Sequence, residues 1–582
     1  FFGCIMMFVI STLLFAVVAS ASSECGVYIA KSTIPGAGLG LFAGKDFNKG
    51  DRVTWGDLII PIIELNWNNG HEDFFWLWDE YTWGHSIHSE MKFETEMTSD
   101  FAGASFGIGS AINCILGLVN VDDVFGRCDN AGLHRSRDPG SGAFTPYYDR
   151  SSVAQRFIHA GDELFLDYGS QYFTSRESKY GMVPLHNSYK IADKIMYGFH
   201  RFKTLVLKYF SDKVQQDVWK VITSMDFRAT NALPVKLEDL TANIYQKGSA
   251  YLYEQRSRQS LEWLSENGKC ADNIRGGPST IPQAGRGAFA TRFIQSGGLV
   301  APAPLIHISE KQRLTMFAPL PPNENWKIYR NDSSPIHQQL LINYCFGHRD
   351  SDVLLSPYGV LVNLINHSKK HANTRIRWSN MMRNPEWMNM KPRALEKYYH
   401  SGLMFEFIAI RDIEEGEEIL IDYGDEWQAA WDRHVANWKP PPESDKYMPA
   451  YERNERIDSI IPTASEGGLG IDITLWMYAD YIGYSGHRSP KGQNAVQIEI
   501  LDRYLLKGET RYLVCMLTVN DGYDKTTVER GDVLWSLPRG AFFFQDIHYT
   551  RDHVQPWSFR HYIGLPDDML PEAWKRYSHN SN

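Results

Sequence analysis

The sequence predicts an α+β protein, mainly β with helices, in which two copies of one compact β-unit are joined by a helical segment and followed by a small β-rich module. Three observations carry this. The stretch STIPGAGLGLFA at Ser32–Ala43 returns as STIPQAGRGAFA at Ser279–Ala290, 279 − 32 = 247 positions later. Between the copies, apolar residues recur three and four apart, and after the second copy apolar and polar residues alternate in short runs.

Composition agrees with a folded chain of several domains. Its 582 residues exceed what one core organises, and 43% apolar with 13% aromatic content gives ample surface to bury. Lys+Arg at 59 against Asp+Glu at 69 leaves a formal charge of −10. With no long basic run to displace counterions from a phosphate backbone, direct nucleic-acid binding is not expected.

The N-terminal residues are apolar from Ile5 to Val18 and then small, and Ala19-Ser20-Ala21 fits a signal-peptidase site. Residues 1–21 therefore read as a secretory signal peptide. An uncleaved anchor is the alternative, although the run is at the short end of the roughly 17–25 residues a spanning helix needs. The predicted address is the secretory pathway: endoplasmic reticulum, secretion, or an algal plastid reached through it. Membrane attachment follows only if the segment stays uncleaved. Beyond it lie Cys25, Cys114, Cys128, Cys270, Cys345 and Cys515, which could pair or stay as buried thiols. None is spaced as a zinc site, and no metal is expected.

The repeat extends well past twelve residues. Over Ser32–Val53 and Ser279–Val300, 11 of 22 positions are identical without a gap. Each copy turns through a G-x-G, Gly38-Leu39-Gly40 or Gly285-Arg286-Gly287, where a missing Cβ lets backbone approach a neighbour or a ligand. Each copy ends alike, with GDELFLDYG at Gly161–Gly169 and GEEILIDYG at Gly416–Gly424. Between these ends, INCILGLVN at Ile112–Asn120 matches INHSKKHAN at Ile365–Asn373. The units span about 25–173 and 270–434.

Taken in order, the G-x-G turn, Asn-His-Ser and the terminal G-E-E-[IL]-x-x-D-Y-G resemble the SET-domain protein-lysine methyltransferases. The resemblance implies short curved sheets in which the segment bearing the last tyrosine threads a loop near the asparagine. It also implies S-adenosylmethionine as cofactor and a protein substrate with a target lysine. Carried over, Gly285 is cofactor-binding, Arg286 and Gly287 line the methionine end, Asn366 holds the cofactor with its amide, and His367 contacts adenine largely through its backbone. Tyr423 is the catalytic tyrosine. Its phenol can accept a hydrogen bond from the attacking amine and its ring can form a channel wall. In-line attack on a methyl group gains about 7–11 kcal/mol from positioning alone, and apolar walls favour the neutral amine.

The copies are unequal. Gly38, Gly40, Asn113 and Tyr168 form a matching second set in the first unit, but Cys114 and Ile115 stand where the second has His367 and Ser368. The second unit is therefore expected to be the catalyst and the first a partly degenerate partner. Only Cys515 follows Tyr423, so no zinc-bound closing loop can form. In this the second unit looks similar to SET enzymes of non-histone proteins, such as the Rubisco large-subunit type. A catalytically inactive tandem-SET module that binds protein or peptide is the rival function.

Residues 174–269 read as helical, with Met196, Phe199, Phe202, Leu205, Val206 and Phe210 on one apolar face. The prolines of 435–445 mark a linker. Residues 446–582 read as the β-rich accessory module, with Trp535, Phe542, Phe543, Phe544, Trp557 and Phe559 expected in its core. N-terminal sequencing of the mature protein is predicted to begin near Ser22, and an intact Met6 or Met7 would contradict the signal-peptide reading.

Overall fold

The computed structural model describes residues 25–63, 81–83, 101–124, 126–225, 227–319, 330–359, 361–398, 400–469, 472–481, 495–521, 526–546 and 551–576. The N-terminal apolar run and its Ala19-Ser20-Ala21 site lie outside them. Among the described residues no helix is long and apolar enough to cross a membrane. Sheets and helices mix as an α+β fold.

The second unit is built on Leu299–Ile308, LVAPAPLIHI, which is buried along nearly its whole length. Alternation is absent because both faces are covered, as expected of a central strand. It pairs antiparallel with Leu403–Ala409 and Leu354–Pro357 in a sheet that also holds Thr374–Trp378, Phe346–Gly347 and Ile563–Gly564. Pro302 and Pro304 fall where only Leu403–Ala409 is alongside, so a missing N–H is tolerated there. A second sheet runs Ile274–Pro278, Arg286–Ala290, Glu418–Ile421, Asn366–His367. Its last pair is parallel, with Asn366 opposite Leu420 and His367 opposite Ile421.

Residues of the first unit take corresponding places. Asp57–Ile63 lies between Phe101–Ser105 and Tyr147–Ala154. Asn113 bridges Phe165 in parallel, as Asn366 does Leu420. The two regions are not separate globules, because one apolar core runs from Val27, Ile29 and Leu41 through Ile306, Phe405 and Phe407. That core also takes Ile563, Leu565 and Trp574. The C-terminal stretch thus leaves the accessory module and packs on the second unit, a departure from placing all of 446–582 in one module. The module itself is a five-stranded sheet over Ile473–Asp546 with its own core. Phe542, Phe543 and Phe544 are buried in or beside it, whereas Trp535 is 61% exposed and belongs to no core.

The connecting region folds as helices, led by His186–Leu205 and Asp212–Thr223 around buried Trp219. Met196 and Phe199 face that cluster as the periodicity predicts. Phe202 and Leu205 in the last turns of that helix, and Val206 and Phe210 beyond its end at Leu205, do not and are exposed.

A disulfide joins Cys25, just ahead of strand Val27–Lys31, to Cys270 of the short strand Lys269–Cys270 that pairs with it, Cα to Cα 5.7 Å. Cys114, Cys128, Cys345 and Cys515 are buried thiols. The bridge closes a very long loop, so replacing both cysteines by serine should lower stability by about 2–4 kcal/mol. Denaturant titration with and without reductant checks this: the parent midpoint should fall on reduction and the variant's should not move. A parent indifferent to reductant would contradict the bridge.

Candidate functional site

The site begins with what two glycines leave out. At Gly285 φ is +70°, and a Cβ would lie 3.0 Å from Ala131 Cβ and 3.1 Å from the Phe144 ring. At Gly287 a Cβ would lie 2.2 Å from Glu418 Oε1. The first glycine admits a positive φ and the close approach of the first unit, and the second admits the carboxylate behind it.

Glu418 is only 6% exposed, so its charge needs partners. Ser279 Oγ donates to Oε1 at 2.7 Å, and Thr280 donates through its backbone N–H at 2.7 Å and through its hydroxyl to Oε2. Asn366 Nδ2 donates to Ser279 Oγ at 3.1 Å, Arg286 O at 2.8 Å and Glu418 Oε1 at 3.2 Å. Because Nδ2 makes all three bonds, Oδ1 is the amide's available acceptor. Asn373 closes the network, donating to Glu418 O at 2.8 Å and accepting from Leu420 N–H at 2.9 Å. Three segments distant in sequence, the turn, the asparagine strand and the last strand, are thereby fixed together.

His367 continues the chain of contacts. Its Nδ1 accepts the backbone N–H of Tyr423 at 2.9 Å, so Nε2 carries the proton and donates to Gln428 Oε1 at 2.7 Å. The side chain thus orients the tyrosine and ties it to helix Asp425–Asn437, a role beyond the backbone contact that the motif implied. Tyr423 donates its hydroxyl to Ile365 O at 2.5 Å. With that proton committed, the oxygen's lone pairs remain as acceptors. Burial, reinforced by Tyr344, raises the phenol's pKa well above its ordinary value, which excludes it as a base at neutral pH.

Arg286, Asn366, His367 and Tyr423 line a cavity of about 280 Å³, at the lower edge of the roughly 300–1,000 Å³ usual for small-molecule sites. Gly285 and Gly287, expected at the cofactor, are not among the residues that line it. One wall is aromatic: Trp427 meets Tyr423 edge-on at 4.9 Å, stacks on Trp431 at 5.9 Å, and both rings meet Phe559, at 5.5 and 5.1 Å. Arg286 lines the cavity while its guanidinium pairs with Asp129, donates to Thr145 O at 3.0 Å and lies 3.8 Å over the Tyr148 ring.

The first unit repeats the network almost bond for bond. Ser32 Oγ donates to Glu163 Oε1 at 2.6 Å, and Asn113 Nδ2 donates to Ser32 Oγ, Leu39 O and Glu163 Oε1 at 3.1, 2.9 and 3.2 Å. Tyr168 donates to Ile112 O at 2.5 Å. A Cβ at Gly40 would lie 2.3 Å from Glu163 Oε1, and one at Gly38 3.0 Å from Arg383 Nη1. The surroundings differ. Cys114, where the second unit has His367, packs with Leu116 and Phe173, and burial pushes its thiol up to about 12.

Motif spacing missed several lining residues. Trp427 and Trp431, four apart on the helix after Asp-Tyr-Gly, were a local signal. Phe559 and Ile563, and Leu58, Phe144 and Thr145 of the first unit, also line the cavity. Nothing in their own sequence surroundings marks them.

Among known proteins, the SET domain family model matches residues 285–424. No curated protein matches the chain significantly. Solved structures similar to parts of it include a candidate histone methyltransferase of Plasmodium falciparum, at 20% identity over 27% of this chain and 96% of that one, TM-score 0.16. Another is the Chaetomium thermophilum polycomb repressive complex 2, at 19% identity over 30% of this chain and 18% of that one, TM-score 0.16. A third, ctPRC2 in an autoinhibited conformation bound to S-adenosylmethionine, shows 18% identity over 33% and 20%, TM-score 0.16. The chain thus spans about a fifth of the polycomb chains, and at such TM-scores these likenesses carry no weight. The family match falls on the segment that runs from the G-x-G turn to Asp-Tyr-Gly, the same segment that Glu418 ties together, and residues 285–424 belong to the SET-domain family.

Proposed function

We propose that this chain is a protein-lysine methyltransferase that uses S-adenosylmethionine, with its catalytic site in the unit spanning 270–434. The observation that carries the reading is Tyr423, whose hydroxyl is held by Ile365 O at 2.5 Å on the wall of a cavity that also presents Asn366 and His367. SET methyltransferases use S-adenosylmethionine, which supplies a sulfonium methyl group to an amine. The lining suits such a ligand. Trp427, Trp431 and Phe559 offer flat faces to a heteroaromatic ring, and Asn366 Oδ1 offers an acceptor to an ammonium group.

The residues act by positioning. Tyr423 accepts a hydrogen bond from the substrate lysine amine and aims its lone pair. Its phenol does not take the proton, and the apolar lining favours the neutral amine by penalising the charged one. The paired hydrogen-bond networks support two tandem SET-like units. The first, at 25–173, serves as the non-catalytic partner, because the polar bridge made by His367 and Gln428 is replaced there by packed Cys114 and Phe173. The Cys25–Cys270 bridge supports a secretory address, where disulfides persist.

Two predictions follow from the site. Asn366→Ala removes the amide that joins the turn to the cavity and should weaken S-adenosylmethionine binding by about 1–3 kcal/mol, whereas Asn113→Ala should leave it nearly unchanged. Calorimetry on both variants decides; equal losses would show the units wrongly ranked. Tyr423→Phe keeps the ring and removes the acceptor, so single-turnover methyl transfer should fall by roughly 10²-fold with cofactor affinity little changed. Tyr168→Phe should transfer at the parental rate, and a Tyr423→Phe protein that did the same would remove the catalytic assignment.

A further inference from the structure

We infer that the first unit completes the second unit's site, with Asp129 and Phe144 as positioning residues for cofactor binding, an inference that rests on the function proposed above. Residues 129–148 of the first unit touch the G-x-G turn, residues 343–344, the closing helix and the C-terminal stretch around the cavity. Asp129 pairs with the Arg286 guanidinium, and Thr145 O accepts from it at 3.0 Å. Phe144 lies against the space that a Cβ at Gly285 would fill. Asn343 Nδ2 donates to Ala143 O at 2.7 Å, and Thr145 N–H donates to the Tyr344 hydroxyl at 2.7 Å. On the closing helix, His434 Nε2 meets Pro139 O at 2.8 Å, and from the C-terminal stretch Arg560 donates to Gly142 O at 2.8 Å.

The physical consequence centres on Arg286. Its backbone carbonyl holds the Asn366 amide at 2.8 Å, so displacement of this residue reaches the site directly. Its guanidinium is only 11% exposed, so its charge must keep a partner. With Asp129 in place it is paired and laid on Tyr148 at 3.8 Å. Without Asp129 the guanidinium loses its counter-charge, and a side chain that turned further into the cavity it already lines would compete with the cofactor. The opposite contact is reciprocal: Arg383 of the second unit donates to Gly36 O at 3.3 Å and lies against Gly38, clasping the first unit's turn.

The test uses the full chain with S-adenosylmethionine as the probe, comparing the parent with Asp129→Asn, Asp129→Glu, Phe144→Leu and Arg383→Gln. Calorimetric affinity, single-turnover transfer at saturating cofactor and the unfolding midpoint without cofactor are measured on each. Asp129→Asn should bind about tenfold more weakly while its saturated transfer rate stays close to the parent's. Asp129→Glu should recover most of the affinity, and Arg383→Gln should bind as the parent does. Should Asp129→Asn fail to fold, Phe144→Leu frees no charge and carries the same expectation of weakened binding. A parent that binds while Asp129→Asn, or in its place Phe144→Leu, binds equally well overturns the inference and leaves the proposed function standing. A parent that does not bind removes the function and the inference together.

Discussion

A single buried carboxylate holds the matched domain together. Glu418 cannot be left unpartnered at 6% exposure, and the groups that satisfy it come from the G-x-G turn and the asparagine strand, 52 to 139 residues away in the chain. Because each partner is itself bonded onward, moving one moves all. Removing one donor from such a network costs the desolvation of what remains as well as the bond itself. Glycine at 287 is the condition for the arrangement, since any Cβ there would occupy the carboxylate's position.

The proposed function depends on this tie through geometry rather than through unusual reactivity. The parallel pairing of Asn366–His367 with Leu420–Ile421 sets where the next residues emerge, and His367 then fixes Tyr423 by its backbone N–H. Tyr423 is left with its proton committed to Ile365 and its acceptor side free, which suits orientation of an amine. Glu163 builds the same tie in the first unit with Ser32 and Asn113, yet the contacts beyond it are apolar. The same tie thus sits beside a lined cavity in the second unit and beside apolar packing in the first.

The sequence was most legible where function is local. The glycines, Asn366, His367 and Tyr423 lie in short motifs whose residue types follow from close approach, amide bonding and ring placement. The α+β class followed from the repeat, the helical periodicity and the alternation. What stayed hidden was tertiary. Phe559 reaches the cavity from 136 positions beyond Tyr423, and Phe144 from 279 − 144 = 135 positions before the second motif begins. Neither has a local pattern that names its destination. The apolar face from Met196 to Phe210 was legible as a helix, but only the packed structure shows that it is covered for part of its length. Arg286 was placed at the cavity by its motif, whereas the direction of its guanidinium depends on Asp129, 157 positions earlier.

The most direct test of the account is a structure of the full chain crystallised with S-adenosylmethionine. The account predicts the cofactor in the cavity bounded by Arg286, Asn366, His367 and Trp427, its sulfonium methyl directed toward the Tyr423 hydroxyl, with Asp129 still paired to Arg286. Cofactor bound instead beside Asn113 and Tyr168, or a cavity that stays empty at saturating cofactor, would contradict it.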